Sequence, residues 1–322
     1  MNIVHFSDIH LSKGNIVELR NNLLDALIKD LYQYLIEKKI DLIVITGDLV
    51  DQGGHSLLEL KEFEKFENPF EVFEEYFINP LSECLNISKS KFLFVPGNHD
   101  IDESEILWKD EKNLKNTINE ENVNNFLAEN ISEFNSTNKR IEKFKTFEKK
   151  FHMNTPNYYF SNNQSTFIYT TDSEQKVGFI LINDAWRCST CKVENSDLNN
   201  HYIGIQQFYS GLEKLKQEGT KINICLFHHS IESVTEFQEI KRFLVNREID
   251  FFLYGHSHNQ YSQIHFNSLN GCFGFRGRAT INKPDEKDIS YQPGYQIFEL
   301  NIPTNRIQKI LFKKYDYIQQ PY

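Results

Sequence analysis

Residues 41–51 read DLIVITGDLVD. Leu42 to Ile45 form an unbroken apolar run, the composition of a short strand buried on both faces. Gly47 follows and permits a tight turn, so Asp48 and Asp51 fall just where a buried strand would emerge from the core. Upstream, Asn2 to Phe6 reads as another strand. Between the two, Leu23, Leu24, Leu27, Ile28, Leu31, Leu35 and Ile36 recur at helical spacing. Strand, helix and strand within about 45 residues form a βαβ unit, which requires a parallel strand pair and places the chain in the α/β class.

The same arrangement of apolar run, sharp turn and polar cluster recurs along the chain. Asn2 to Phe6 leads to Asp8-Ile9-His10. Phe92 to Val95 leads through Pro96 to Gly97-Asn98-His99-Asp100. Ile222 to Phe227 leads to His228-His229, and Asp250 to Tyr254 leads to Gly255-His256-Ser257-His258. Asp-x-His or Gly-Asp-x-x-Asp alone is weak. Together the five clusters deliver Asp, Asn and His side chains to strand ends, which is how a metal site is built in an α/β protein. Val177 to Asn183 reads as a further strand, Ile205 to Lys216 and Phe70 to Leu85 as helices, and Tyr295 to Leu300 and Arg306 to Phe312 as antiparallel strands.

Composition narrows the class further. The 322 residues include 39% hydrophobic and 14% aromatic side chains, enough for a substantial core, and the formal charge is −10. That charge argues against unspecific binding to a phosphate backbone, which needs Lys and Arg to release counterions. Five scattered cysteines do not make a disulfide framework. Cys188 and Cys191 form a lone CxxC, read as two loop thiols because no well-spaced partner pair is evident. No leader or long apolar stretch is apparent, so a cytoplasmic protein that does not enter the membrane is expected. The chain is read as one domain over 1–322, which could be the N-terminal part of a longer protein with a fused or partner domain after it. Its oligomeric state is not legible.

These blocks resemble the calcineurin-like metallophosphoesterases, over residues 3 to about 260. The resemblance implies a four-layer α/β/β/α sandwich of mixed sheets, interrupted here by a helical insertion at about 101–152 that is rich in Asn, Glu and Lys. It also implies two divalent transition-metal ions at the strand ends: manganese first, with iron, zinc or nickel as alternatives. Asp8, His10, Asp48 and His258 would hold one ion. Asp48, Asn98, His228 and His256 would hold the other, with one Asp48 oxygen available to each. With a bridging hydroxide, about one unit of positive charge remains to attract phosphate.

The implied activity is hydrolysis of a nucleotide-type phosphodiester by attack of that hydroxide. A nuclease acting on DNA or RNA is the alternative, and a protein phosphatase or a non-catalytic metal-binding scaffold comes third. His99 resembles the family histidine that protonates the leaving oxygen, and Asp100 is expected to orient it, while Asp51 is expected to hydrogen-bond within its loop. His229 is placed behind His228 or toward substrate, and His5 in the core. Ile141, Phe144, Phe147 and Phe151 mark an insertion face that docks on the core, with a lid as the other reading. Trp186 is read as packed and Arg187 as a surface residue, the alternatives being a base-stacking Trp and a phosphate-binding Arg. Arg276 and Arg278 are likewise read as surface arginines.

Overall fold

The computed structural model describes residues 1–129, 132–189, 201–246, 249–259, 261–266, 270–281 and 291–315. Two sheets carry the fold. The first has five strands in the order β12-β11-β1-β2-β3: β1 is Asn2–Phe6, β2 Leu42–Thr46, β3 Phe92–Val95, β11 Gly294–Asn301 and β12 Arg306–Lys314. β1, β2 and β3 run parallel, with Ile3 opposite Leu42 and Ile43 opposite Phe92. β11 pairs antiparallel with β1, so a late hairpin closes the edge of an early parallel sheet.

The second sheet has seven strands in the order β4-β5-β6-β7-β8-β10-β9. They are β4 Tyr158–Tyr159, β5 Ser165–Thr170, β6 Lys176–Leu181, β7 Ile222–Leu226, β8 Phe251–Tyr254, β9 Tyr261–Phe266 and β10 Gly271–Arg276. β6, β7, β8 and β10 are parallel neighbours, whereas β5 and β9 pair antiparallel with β6 and β10. Both sheets are therefore mixed.

Alternation within the strands sorts their side chains into three layers. Ile3, Leu42, Val44, Leu93 and Val95 from the first sheet meet Phe179, Leu181, Ile224, Leu226, Phe251 and Leu253 from the second, filling the space between the sheets. Val4, Phe6, Ile43, Ile45, Phe92 and Phe94 point outward and are covered by helices, including Leu24–Glu37 and Asn79–Leu85. Ile180, Cys225, Phe227 and Phe252 point outward from the second sheet under the helices Gln206–Glu218 and Phe237–Asn246. The result is an α/β/β/α sandwich. The helical stretch read over 70–85 contains a π turn, Glu74–Ile78, between Pro69–Phe73 and Asn79–Leu85. Pro80 has no N–H to give the preceding turn, and the wider turn accommodates that loss.

The insertion divides into two parts. Its last helix, Glu142–Phe151, lies in the outer layer of the first sheet, where Phe147 stacks on Phe94 at 5.2 Å between ring centroids and on Phe70 at 5.7 Å. The helices Trp108–Thr117 and Val123–Glu129, with Ile118 just after the first, instead bury Leu114, Ile118, Val123 and Leu127 against Trp186 and Tyr202. Among the described residues, no helix is long and apolar enough to cross a membrane. Phe147→Ala should lower unfolding free energy by about 3–5 kcal/mol, as large-to-small aromatic truncations in a packed core do, and a chemical denaturation midpoint would show it.

Candidate metal centre

β1, β2 and β3 all end at the same edge of the first sheet, and β7 and β8 end at the facing edge of the second. The loops after β1 and β2 are zipped together by backbone bonds. Asp8 N–H donates to Gly47 O, those of Ile9 and His10 to Asp48 O, and that of Leu11 to Leu49 O. Asp8 and Asp48 are thereby held side by side and buried. Two glycines make the approach possible. Gly47 has φ +85°, and a Cβ there would sit 2.3 Å from His228 Nδ1. A Cβ on Gly97 would sit 2.2 Å from Asp48 Oδ1.

All seven expected ligands come together. His10 Nε2 and His258 Nε2 face each other at 3.1 Å. His258 Nε2 is 3.5 Å from Asp8 Oδ1, and His10 Nε2 is 3.5 Å from Asp48 Oδ2. On the other side, His228 Nε2 lies 3.1 Å from the same Asp48 Oδ2 and 3.2 Å from Asn98 Oδ1, which in turn is 3.0 Å from His256 Nδ1. The two groups thus meet at one atom. Asp48 Oδ1 does not face a second group, because it accepts the His99 backbone N–H at 2.8 Å. Oδ2 is thus the Asp48 oxygen that faces both donor groups.

These donors suit divalent cations. His228 Nδ1 lies 2.7 Å from the Thr46 carbonyl, a contact that places the proton on Nδ1 and leaves the Nε2 lone pair facing Asp48 and Asn98. Lone pairs that converge in this way need positive charge among them. Burial opposes a charged His228, yet Asp48 prevails and pulls the imidazole up to about 10. Burial likewise opposes ionisation of Asp48, but His228 and His10 hold its carboxyl well below the usual range. Where charged neighbours compete less, burial decides: His256 falls to about 3, with His228 as a further cause. The donor set is imidazole and oxygen without thiolate, which fits manganese, iron, zinc or nickel better than calcium or magnesium.

The partner of His99 also needs correction. Asp100 is buried beneath the turn, where Oδ1 accepts the Val50 N–H at 3.0 Å and Oδ2 the Gly97 N–H at 2.8 Å. Both oxygens are used to shape the backbone, and burial with the nearby Asp48 charge pushes the group up to about 8. His99 Nδ1 instead lies 2.7 Å from Asp51 Oδ1. The His99 ring stands edge-on to His10 at 4.5 Å and is partly exposed, beside the donor cluster and open to solvent. Burial disfavours its charged form, but the Asp51 bond and the Asp48 field raise His99 above the ordinary histidine value.

One residue not singled out in the sequence holds the backbone of His228. Asp184 follows β6, and its Oδ2 accepts the backbone N–H groups of His228 at 3.0 Å and His229 at 2.7 Å, and lies 3.1 Å from His229 Nδ1. Burial pushes Asp184 up to about 7 against the pull of His228. Its signal was available, since it is an Asp directly after an apolar strand, like Asp8 and Asp48. Arg187 is not on the surface. It is buried and paired with Glu111 of the insertion at 3.2 Å, and Arg140 donates to the Arg187 and Cys188 carbonyls at 3.1 and 2.9 Å. Trp186 is packed, with its ring 5.5 Å from Phe126. Arg276 bonds to Asn259 and Arg278 to the Gln292 carbonyl. His5 is buried in β1, with Nε2 2.8 Å from Thr46 Oγ1. Cys191 lies outside the described residues.

The chain is 24% identical over 280 residues to the uncharacterized metallophosphoesterase-like protein YydB of Bacillus subtilis (strain 168), an alignment covering 84% of this chain and 51% of the relative. It thus spans about half the length of that curated relative. Among solved structures, similar ones include Haemophilus influenzae NAD nucleotidase (15% identity, TM-score 0.45, covering 98% of this chain and 49% of that one). Another is a 5'-nucleotidase precursor from Thermus thermophilus (11% identity, TM-score 0.46, covering 97% and 54%). The model of the calcineurin-like phosphoesterases matches residues 1–260. The chain belongs to the calcineurin-like phosphoesterase family, whose members are metal-dependent phosphoester hydrolases.

Proposed function

We propose that the chain hydrolyses phosphodiesters of nucleotide type at a dinuclear centre. Asp8, His10, Asp48 and His258 hold one ion, and Asp48, Asn98, His228 and His256 hold the other. The observation that carries this reading is Asp48 Oδ2, which lies within 3.5 Å of a ring nitrogen from each of the two ligand groups. When bound, two divalent ions (manganese is the proposed pair, with iron, zinc or nickel also suited to these donors) would supply Lewis acidity and a water acidic enough to act as nucleophile near neutral pH.

The chain's own residues do the rest. Thr46 O and Asp184 fix the ring and backbone of His228. Asp51 holds the Nδ1–H of His99, so Nε2 is the atom that delivers a proton to the departing oxygen. The acidic charge of the chain favours a small nucleotide-type substrate over a long polyanion. The deciding assay supplies manganese and compares bis-p-nitrophenyl phosphate, cyclic nucleotides, and single- and double-stranded nucleic acids. Turnover of nucleic acid alone, falling steeply with salt, would replace the small-substrate reading with a nuclease.

Three variants test the assignments. Gly97→Ala places a methyl group against Asp48 Oδ1, so its metal content by elemental analysis should fall well below that of the parent chain. His99→Asn should retain both ions and lose about 10²–10⁴-fold in kcat on diesters with alkoxide leaving groups. The loss should be much smaller with p-nitrophenolate, which leaves without a proton. Asp51→Asn removes the negative charge that helps to raise His99 and leaves only a weaker, neutral acceptor in its place. A general acid works below its pKa and fails as pH rises through it, so the alkaline limb of the kcat profile should move to lower pH. An unmoved limb would separate Asp51 from the proton donor.

A further inference from the structure

Next to His228 and His256, whose rings lie 4.8 and 4.5 Å from that of His229, a second group of donors converges. Cys188 Sγ lies 3.7 Å from His201 Nε2 and 3.8 Å from His229 Nε2, and all three residues are buried. The Asp184 carbonyl oxygen joins them, 3.7 Å from Cys188 Sγ and 2.7 Å from His201 Nε2. A zinc ion about 2.3 Å from sulfur and about 2.0–2.1 Å from nitrogen sets those atoms roughly 3.5 Å apart along a tetrahedral edge. Both sulfur–nitrogen distances are close to that edge.

The Asp184 carboxylate lies beside His229 Nδ1 and accepts the His229 backbone N–H, which places the ring proton on Nδ1 and leaves the Nε2 lone pair directed at Cys188. A carboxylate behind a histidine, opposite a thiol, is the arrangement by which proteins aim a metal-ligating imidazole.

We infer that Cys188, His201 and His229 form a further metal site of zinc type, separate from the seven-residue set, with the Asp184 carbonyl as its fourth donor. Binding replaces the Cys188 thiol proton, which is released. It also moves the His201 ring proton from Nε2 to Nδ1, freeing Nε2 to ligate. A thiolate and two neutral imidazoles select zinc over manganese, so the two kinds of site would load differently from a mixture of metals. The ion would tie together the segment after β6, the stretch leading into the helix Gln206–Glu218, and the residue beside His228.

The test uses the full chain, stripped with a chelator and titrated with cobalt(II). The dinuclear set contains no sulfur, so a thiolate-to-cobalt charge-transfer band in the near ultraviolet would report Cys188. The band is expected in the parent chain and in Asp48→Ala, and is expected to vanish in Cys188→Ser. Zinc bound per chain should fall by one equivalent in Cys188→Ser and in His201→Asn. The parent spectrum needs no substitution, so a variant that fails to fold does not block the test. Absence of the band in the cobalt-saturated parent, or an undiminished band in folded Cys188→Ser, would overturn the site and leave Cys188 as a thiol hydrogen-bonded to His229. The Asp48→Ala arm separates failure here from failure of the dinuclear reading.

Discussion

The site depends on a single carboxylate. Asp48 stands at the end of β2, the central one of the three parallel strands, and each of its oxygens has a distinct neighbourhood. Oδ1 is tied to the His99 backbone N–H, and Oδ2 is left between His10 and His228. The tie fixes the direction of the carboxylate and the position of the His99 turn at the same time. A buried carboxylate is costly unless positive charge or hydrogen bonds compensate it, so the surrounding imidazoles and the Asp48 charge stabilise each other. This coupling explains why His228 is drawn upward while Asp48 is held down.

Placing seven donors around such small volumes strains the chain. Asp8, His10, Asp48, His256 and His258 all have positive φ, between 49° and 74°. Five of the seven donor residues therefore adopt a conformation that L residues rarely take, at a cost of order 1 kcal/mol or more each. The Asp8 loop is held by five backbone bonds to the Asp48 loop, and the His256 turn by its N–H to Asp8. Strands that end in the same plane make those bonds possible, and the packed layer between the sheets keeps the strands there. The core thus sustains a local geometry that the loops would not keep alone.

The parts legible in sequence were those written in local pattern. Leu42 to Ile45, Phe92 to Val95 and Phe251 to Tyr254 announced buried strands, and the polar residue after each announced the edge where the donors collect. What was misread depended on distances that sequence order hides. Asp100 is adjacent to His99 in sequence, but the turn after Pro96 directs its carboxylate back to the N–H groups of Gly97 and Val50. Asp51, 48 positions from His99, is the residue that meets the ring. The place of β11 between β1 and β12 is another long-range pairing, set by which sheet edge remains open once the parallel strands have formed. Asp184 and His201 could not be connected to the histidine pair until β6 and β7 were seen to be parallel neighbours.

The insertion gains its meaning from the same loop. Glu111 pairs with both Arg140 and Arg187, and Arg140 reaches the Arg187 and Cys188 carbonyls. Trp186 completes the apolar cluster of the helices Trp108–Thr117 and Val123–Glu129. Those helices therefore rest on the segment that begins with Asp184, whose carboxylate carries the backbone of His228. Residues 184–188 thus connect the insertion to His228, whose Nε2 lies 3.1 Å from Asp48 Oδ2. Buried ion pairs hold that path rigidly because separating them would leave uncompensated charge in the interior. The helices Trp108–Thr117 and Val123–Glu129 and the strand end that supplies His228 are therefore joined through one short segment, residues 184–188.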